Sequence, residues 1–565
     1  MASDPQNSGQ KPNILYIMAD QMAAPMLRMY DPESRVKTPN LDHLAKNGVV
    51  FDQAYCNSPL CAPSRFALVT GRLPSKIGAF DNASDLPADV VTYAHYLRAA
   101  GYHTALAGKM HYIGPDQLHG YEQRLTSDIY PGDYGWSVNW DEPEVRLDFY
   151  HNMSSVLDAG PCGRSNQLDY DNEVIYKSNQ YLWDHVRHRG DQPFCLTVSM
   201  THPHDPYTME QEYWDLYEDV EIPMPKTAAI PQDKQDPHSQ RILKCIDLWG
   251  SEIPEERIRA ARRAYFAACT YVDDQIGKLL KTLKATGMAD NTIIIFSGDH
   301  GDMLGERGLW YKMAFFEMSA RVPMLVYKPG LYAPHRVHEN VSTLDLLPTF
   351  VDMAGGARDL RLPVDGTSLM PYIAQIEGPR PDTVIGEYMG EGTLAPLVMI
   401  RRDRWKFIYS PLDPPMLFDL VADPLERTNL VAGLPIPTRS QKSVRPLPNL
   451  HLPFAPVAMP SPPHTPSPGT IVPASATNTT TSHSDPSVLL ALFLEEVSQR
   501  WNFDALTKKV LESQRRRRVI WSALSKGVQT SWDYTPIVDG GSQYVRNMGK
   551  GILDDVEWHA RWPRV

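Results

Sequence analysis

Five short apolar runs, each leading into polar residues able to do chemistry, constrain this chain most. They are Asn13–Met18 (NILYIM), His103–Ala107, Cys195–Met200, Thr292–Phe296 (TIIIF) and Pro323–Tyr327. Each is rich in β-formers and lacks polar alternation, the pattern of a strand buried on both faces. Helix-patterned segments lie between them, among them Ala88–Ala100 and Ala260–Thr286, the second ending near Gly287. Strands that alternate with helices build a parallel sheet with helices on both sides. The expected fold is therefore α/β, a large mostly parallel sheet sandwiched by helices, with a smaller C-terminal α+β subdomain. In such sheets ligands bind beyond the carboxyl ends of the strands.

The residues at those ends set the chemistry. Asp20 follows the first run, and Asp299 and His300 follow the fourth, within GDHGDMLGERGLWYK (Gly298–Lys312). Two carboxylates buried near one another need a cation or a proton, and a metal is the sharper reading. An aspartate that merely caps the following turn is the plainer one. Lys109 and His111 (GKMHY) follow the second run, and alternation puts both on one side if the segment stays extended. His202 and His204 (THPHDPY) follow the third. With Lys312 these cations make a site for an anion with several oxygens, such as phosphate or sulfate. In CAPSRFALVTGR (Cys61–Arg72), Pro63 and Ser64 suit a helix start and Gly71 a helix end. Cys61 then sits at a helix N-terminus, where free amides attract an anion. A buried cysteine beside a cap and a plain thiolate nucleophile are the two other readings.

Composition excludes several classes. The formal net charge of −12 argues against a nucleic-acid partner. No run of about eighteen apolar residues is present, so no membrane span is expected. The six cysteines form neither a CxxC pair nor a disulfide framework, and the N-terminus lacks a secretory h-region, so a reducing, cytoplasmic location is expected. Residues 1–11 read as a flexible tail and 12–375 as the catalytic domain. Residues 376–433 and 488–565 read as a C-terminal subdomain with an oligomerising tail. Between them, 434–487 is Pro/Ser/Thr-rich and reads as a disordered insertion. Order resumes near Val488. The basic run Arg515–Arg518 reads as a solvated helix face, and the C-terminus carries Trp521, Trp532, Trp558 and Trp562.

The motif C-x-P-S-R followed by T-G-R resembles the signature of type I sulfatases of the alkaline phosphatase superfamily. Its companions occur in that family's order: Asp20, Cys61, Arg65, Lys109, His111, His204, Asp299, His300 and Lys312. The resemblance covers residues 11–433 and resumes after the insertion. It implies an alkaline-phosphatase-like sheet, one divalent metal ion and oxidation of Cys61 to formylglycine. Calcium is the usual metal, with manganese and magnesium as alternatives. The hydrated aldehyde is the family's nucleophile, since a geminal diol can expel sulfate by breaking its own C–O bond. Two departures stand out: Asp20-Gln21 replaces paired aspartates, and Asp299-His300 replaces Asp-Asn.

Carried onto this chain, the resemblance makes Asp20, Asp299, His300 and residue 61 the metal ligands. Arg65 and Lys109 stabilise the modified residue, and Lys312 clamps sulfate. His204 protonates the leaving alkoxide and His111 takes a proton from the remaining hydroxyl, or the two exchange roles. ADQ, THPHDPY, GEYMGEG (Gly386–Gly392) and the ending YVRN…ARWPR look like the choline sulfatase subfamily, which cleaves choline-O-sulfate to choline and sulfate. Such a chain is expected to be a homo-oligomer, dimer or tetramer, with its tail against a neighbouring subunit. It serves sulfur recovery and glycine betaine synthesis. A quaternary ammonium needs aromatic faces and carboxylates. Trp136 and Glu387 are the preferred contacts, with Trp140 and Asn82 as further candidates. An aryl sulfatase or phosphonate monoester hydrolase, and a non-catalytic binder of sulfated metabolites, are the alternatives.

Overall fold

The structure, a computed structural model, describes residues 11–130, 132–355, 362–378, 381–435 and 485–527. Residues 1–10, the insertion apart from its ends, and the aromatic tail from residue 528 lie outside the described residues. Contacts divide the chain into two units, Met1–Leu430 with Trp501–Val565, and Val431–Arg500. In the second unit the helix Pro486–Arg500 is described.

The first unit is built on an eight-stranded sheet. Its strands are β1 (Asn13–Ala19), β2 (Val49–Tyr55), β3 (His103–Gly108), β4 (Gln123–Arg124), β6 (Phe194–Met200), β8 (Thr292–Gly298), β9 (Met324–Tyr327) and β10 (His335–Ser342). A separate parallel pair joins β5 (Gly160–Cys162) to β7 (Thr208–Glu210). The sheet order is β10-β2-β9-β8-β1-β6-β3-β4. All neighbours pair in parallel except β9, which is antiparallel to both β8 and β2. Every residue of β1, β3, β6 and β8 is buried, which is why these strands read as continuous apolar runs. On one face Tyr16 packs edge-on against Tyr93 and Phe350. The long helices Asn166–His188 and Glu255–Ala285 pack on each other, and the first also on β3 and β6.

All five expected strands are present. The helix expected over Ala88–Ala100 begins only at Tyr93, because Thr92 is its cap and donates its backbone N–H to His95 Nδ1 at 3.1 Å. The helix expected from Ala260 begins earlier, at Glu255, where Glu255 and Glu256 suit the positive helix end. A four-stranded antiparallel sheet, β11 (Thr383–Tyr388), β12 (Leu397–Arg402), β13 (Trp405–Ser410) and β14 (Asp413–Asp419), forms the smaller C-terminal layer. The helix Phe503–Leu524 closes the described chain. Among the described residues no helix is long and apolar enough to cross a membrane.

Candidate active site

The site arises where four neighbouring parallel strands stop. Ala19 lies opposite both Gly298 and Met200, and Gly108 lies opposite Ser199. The next residues, Asp299, Asp20, Thr201 and Lys109, therefore emerge along one edge of the sheet. Gly108 makes this convergence feasible. It has φ +109°, and a Cβ there would lie 1.9 Å from the Ser199 carbonyl oxygen.

The helix Cys61–Thr70 brings the sulfur to that edge. Leu60 is its extended cap, and Gly71, at φ +61°, ends it. Ser64 N–H donates to Leu60 O, the first bond of the helix, so the missing N–H of Pro63 costs nothing. Asn82 Oδ1 accepts the free Ala62 N–H at 3.0 Å. Asn82 is thus a cap on the helix that carries Cys61.

Around the sulfur the groups are close and fully buried. His300 Nε2 lies 3.3 Å from Cys61 Sγ, Lys109 Nζ 3.5 Å and Asp20 Oδ1 4.0 Å. Lys109 also donates to Asp20 Oδ2. Arg65 Nε donates to Asp299 Oδ2 at 2.9 Å, and its Nη2 ion-pairs with Asp20 Oδ2 at 3.3 Å. Asp299 Oδ1 accepts the backbone N–H of Gln21 and of His300. Burial pushes the Cys61 thiol up, but the charges of Lys109, Lys312 and His300 outweigh it and hold the thiol well below its ordinary value. Burial likewise opposes ionisation of Asp20, and Lys109 overcomes it. His300 is raised, because Asp299 and the sulfur outweigh its burial.

A second buried network joins the first. Lys312 Nζ lies 2.7 Å from Gln21 Oε1 and 2.8 Å from His204 Nε2. Gln21 Nε2 donates to Asp205 Oδ1 and Asp302 Oδ2. The residue that replaces a second aspartate thus spends its side chain on Lys312 and two carboxylates. His204 Nδ1 faces Asp205 O at 2.6 Å. His151, which sequence reasoning missed, pairs with Asp205 Oδ2 at 3.3 Å and stacks on Tyr311. His202 points elsewhere, onto Asp171 at 2.7 Å.

His111 departs from the extended path assumed for it, with φ +62°. The turn is held by Asp128, which accepts the Met110 and His111 N–H groups. Both His111 ring nitrogens are buried without a hydrogen-bond partner. Trp136 meets this imidazole edge-on at 5.7 Å. Trp140 is buried on the same loop.

Glu387 does not face the sulfur cluster. Its carboxylate accepts Ser75 N–H at 2.8 Å, Ser75 Oγ–H at 2.9 Å and Trp501 Nε1–H at 2.6 Å. The reason is its place inside β11, whereas Glu391 follows that strand's end. Glu391 is 4% exposed. Burial pushes its carboxyl up to about 8, with Lys312 opposing and Cys61 and Asp81 adding to the shift. The strand-end rule that singles out Asp20 and Asp299 does not reach it, because β11 belongs to the antiparallel sheet and Glu391 lies three residues past its end.

One oxygen each from Asp20 and Asp299, a His300 nitrogen and the Cys61 sulfur lie within 4.8 Å of one another. Hard carboxylates with one imidazole suit a single divalent cation. Four buried side chains that converge without an apolar layer between them fit such an ion.

Comparison with known proteins finds relatives along the chain. The model of the sulfatase family matches residues 12–357. That of the choline sulfatase enzyme C terminal matches 508–562, and that of the N-sulphoglucosamine sulphohydrolase C-terminal region matches 305–441. A choline-sulfatase of Rhizobium meliloti strain 1021 is 44% identical over 98% of this chain and 99% of its own. An arylsulfatase K of Gallus gallus is 30% identical over 77% of this chain and 82% of its own. The crystal structure of a phosphonate monoester hydrolase of Agrobacterium radiobacter superposes with a TM-score of 0.60 at 25% identity, covering 75% of this chain and 92% of that one. The chain belongs to the sulfatase family, enzymes that hydrolyse sulfate esters.

Proposed function

We propose that this enzyme hydrolyses choline-O-sulfate to choline and sulfate. The observation that carries the reading is Glu391, a buried carboxyl group that feels the charges of both Lys312 and Cys61. A buried sulfate clamp and a buried carboxyl group within reach of its charge suit a substrate with an anion at one end and a cation at the other. The name of the 44% identical relative supports the same substrate.

Oxidised to formylglycine and hydrated, residue 61 supplies a hydroxyl that attacks sulfur and a second one whose ionisation releases sulfate. A divalent cation held by Asp20, Asp299, His300 and residue 61 supplies Lewis acidity, with calcium favoured by the family. Arg65 and Lys109 balance the two aspartates and orient residue 61. Lys312 meets the sulfate oxygens; with the thiol unmodified its pKa is raised because the Cys61, Asp205 and Asp20 charges outweigh burial, and the two aspartates remain beside it after oxidation.

The Asp205 carbonyl accepts from His204 Nδ1 at 2.6 Å, which leaves Nε2 to accept from Lys312 Nζ at 2.8 Å. That arrangement suits delivery of a proton to the leaving alkoxide. His111, with two buried nitrogens lacking partners, suits the base that collapses the sulfated intermediate. Trp136 supplies an aromatic face beside His111. All six cysteines are free, in keeping with a cytoplasmic enzyme, and the C-terminal resemblance supports a homo-oligomer.

The test is a comparison of choline sulfate, nitrophenyl sulfate and a phosphonate monoester as substrates of the purified enzyme. The expected result is equimolar choline and inorganic sulfate, with kcat/KM highest for choline sulfate. A preference for either of the other two replaces this reading by an aryl sulfatase or a phosphonate hydrolase.

A further inference from the structure

The basic run Arg515–Arg518 does not form one solvated face. Arg515 and Arg518 pair with Asp141 near the surface, with arginine side chains 60% and 31% exposed. Such pairs contribute about 0–1 kcal/mol. Arg517 is different: it is 3% exposed and its fork closes on Asp81, itself fully buried, with Nη2 at 2.8 Å from Oδ2 and Nη1 on Oδ1. A buried bidentate pair joining residues 436 positions apart is a geometric restraint before it is a source of stability.

Asp81 passes that restraint to two parts of the site. Its Oδ2 accepts the Val138 N–H at 3.3 Å, in the loop that carries Trp136 and Trp140. Its Oδ1 accepts the Ala83 N–H at 3.1 Å, closing the turn around Asn82, which caps the Cys61 helix. The same C-terminal helix seats the loop twice more. Gln514 Oε1 accepts the Trp140 N–H at 3.0 Å, and Trp521 lies so close over Gly135 that a Cβ there would meet its ring at 3.2 Å.

We infer that Arg517 is a positioning residue for the ammonium end of the substrate, acting through Asp81 on the Trp136–Trp140 loop. It touches no reacting atom. The inference rests on the choline sulfate reading above. Its fork sets the aromatic wall, and the wall sets how well a quaternary ammonium seats. The Asn82 turn is held independently of Arg517 by Ser84 Oγ, which accepts the Phe80 and Asp81 N–H groups, so the sulfate chemistry at Lys312, His204 and residue 61 stays intact.

The test is steady-state kinetics of full-length Arg517→Gln, Arg517→Lys and the control Arg515→Gln on choline sulfate and nitrophenyl sulfate. Arg517→Gln is expected to raise KM for choline sulfate by about 10-fold or more, roughly 1.4 kcal/mol, with kcat and the aryl sulfate kcat/KM within about 3-fold. Arg517→Lys, which keeps the charge but not the fork, is expected to give an intermediate KM, and Arg515→Gln to change neither substrate. If Arg517→Gln fails to fold, Arg517→Lys decides, and an unchanged KM there overturns the inference. Equal losses on both substrates also overturn it, because a merely structural role lowers the active fraction without selecting a substrate. A wild-type enzyme inert towards choline sulfate overturns the substrate reading instead.

Discussion

Replacing Glu391 by glutamine removes one charge and almost no volume. A trimethylammonium about 4.5 Å from a carboxylate, at an effective dielectric constant of about 20, gains about 3.7 kcal/mol. That corresponds to about 500-fold in kcat/KM when the carboxyl group is ionised. Free Glu391 is pushed up to about 8, so at pH 7 it must first lose a proton, which costs about 1.4 kcal/mol. Oxidation of Cys61 removes one of the negative charges that raise it, so the midpoint lies at or below about 8.

The carboxylate is present above its pKa, so the penalty of Glu391→Gln must grow with pH. The expected wild-type to variant ratio for choline sulfate is at least about 50 at pH 7, levelling near about 500 above pH 8. Taking the ratio at each pH cancels the titration of groups common to both enzymes. Nitrophenyl sulfate, without an ammonium, should show a ratio near unity throughout. Equal losses on both substrates, or a ratio for choline sulfate that ignores pH, would refute the reasoning. A stability effect of the opposite sign accompanies this one. Folded Glu391 keeps a proton that the unfolded chain releases above about 4.5, so its ionisation costs stability as pH rises towards 8. The unliganded glutamine variant should therefore melt above wild type at pH 8.5.

Lys312→Ala should lower kcat by about 100- to 1000-fold on choline sulfate and aryl sulfate alike, since the transition-state charge on sulfate is common to both. Gly108→Ala forces a Cβ to within 1.9 Å of a backbone carbonyl at φ +109°, so the soluble yield should collapse; a folded, active variant would show that β3 and β6 can part. Removal of divalent ions by chelation and dialysis should abolish turnover of both substrates, and re-addition of calcium or manganese should restore it. Circular dichroism should show the fold retained throughout, because Arg65 and Lys109 still compensate both aspartates.

Much of this architecture is legible in the chain because its central strands are buried on both faces. After their first residues, Asn13 and Thr292, NILYIM and TIIIF carry no charged or amide side chain to confuse the reading, and the aspartate just past the end of each strand is confined to one edge of the sheet. The peripheral strands are not legible in the same way. β2 (VVFDQAY) and β10 (HRVHENVS) carry charges because they face solvent in part, and their pairing joins positions nearly 300 residues apart. Side-chain direction is equally hidden. Glu387 and Glu391 share one motif, yet three donors from Ser75 and Trp501 take up the first while the second stays among site charges. Arg517 looks like its neighbours until Asp81 is placed beside it. Asp205 and His151 meet only because separate loops fold over the sheet edge.

The central claim is that residue 61 attacks only after oxidation. Mass analysis of the tryptic peptide that spans Cys61, on preparations of graded specific activity, tests it most directly. The expected result is a species in which the thiol is replaced by an aldehyde, in a fraction that rises in proportion to kcat, with Cys56 unchanged. Full activity in a preparation whose Cys61 is entirely an unmodified thiol would contradict it.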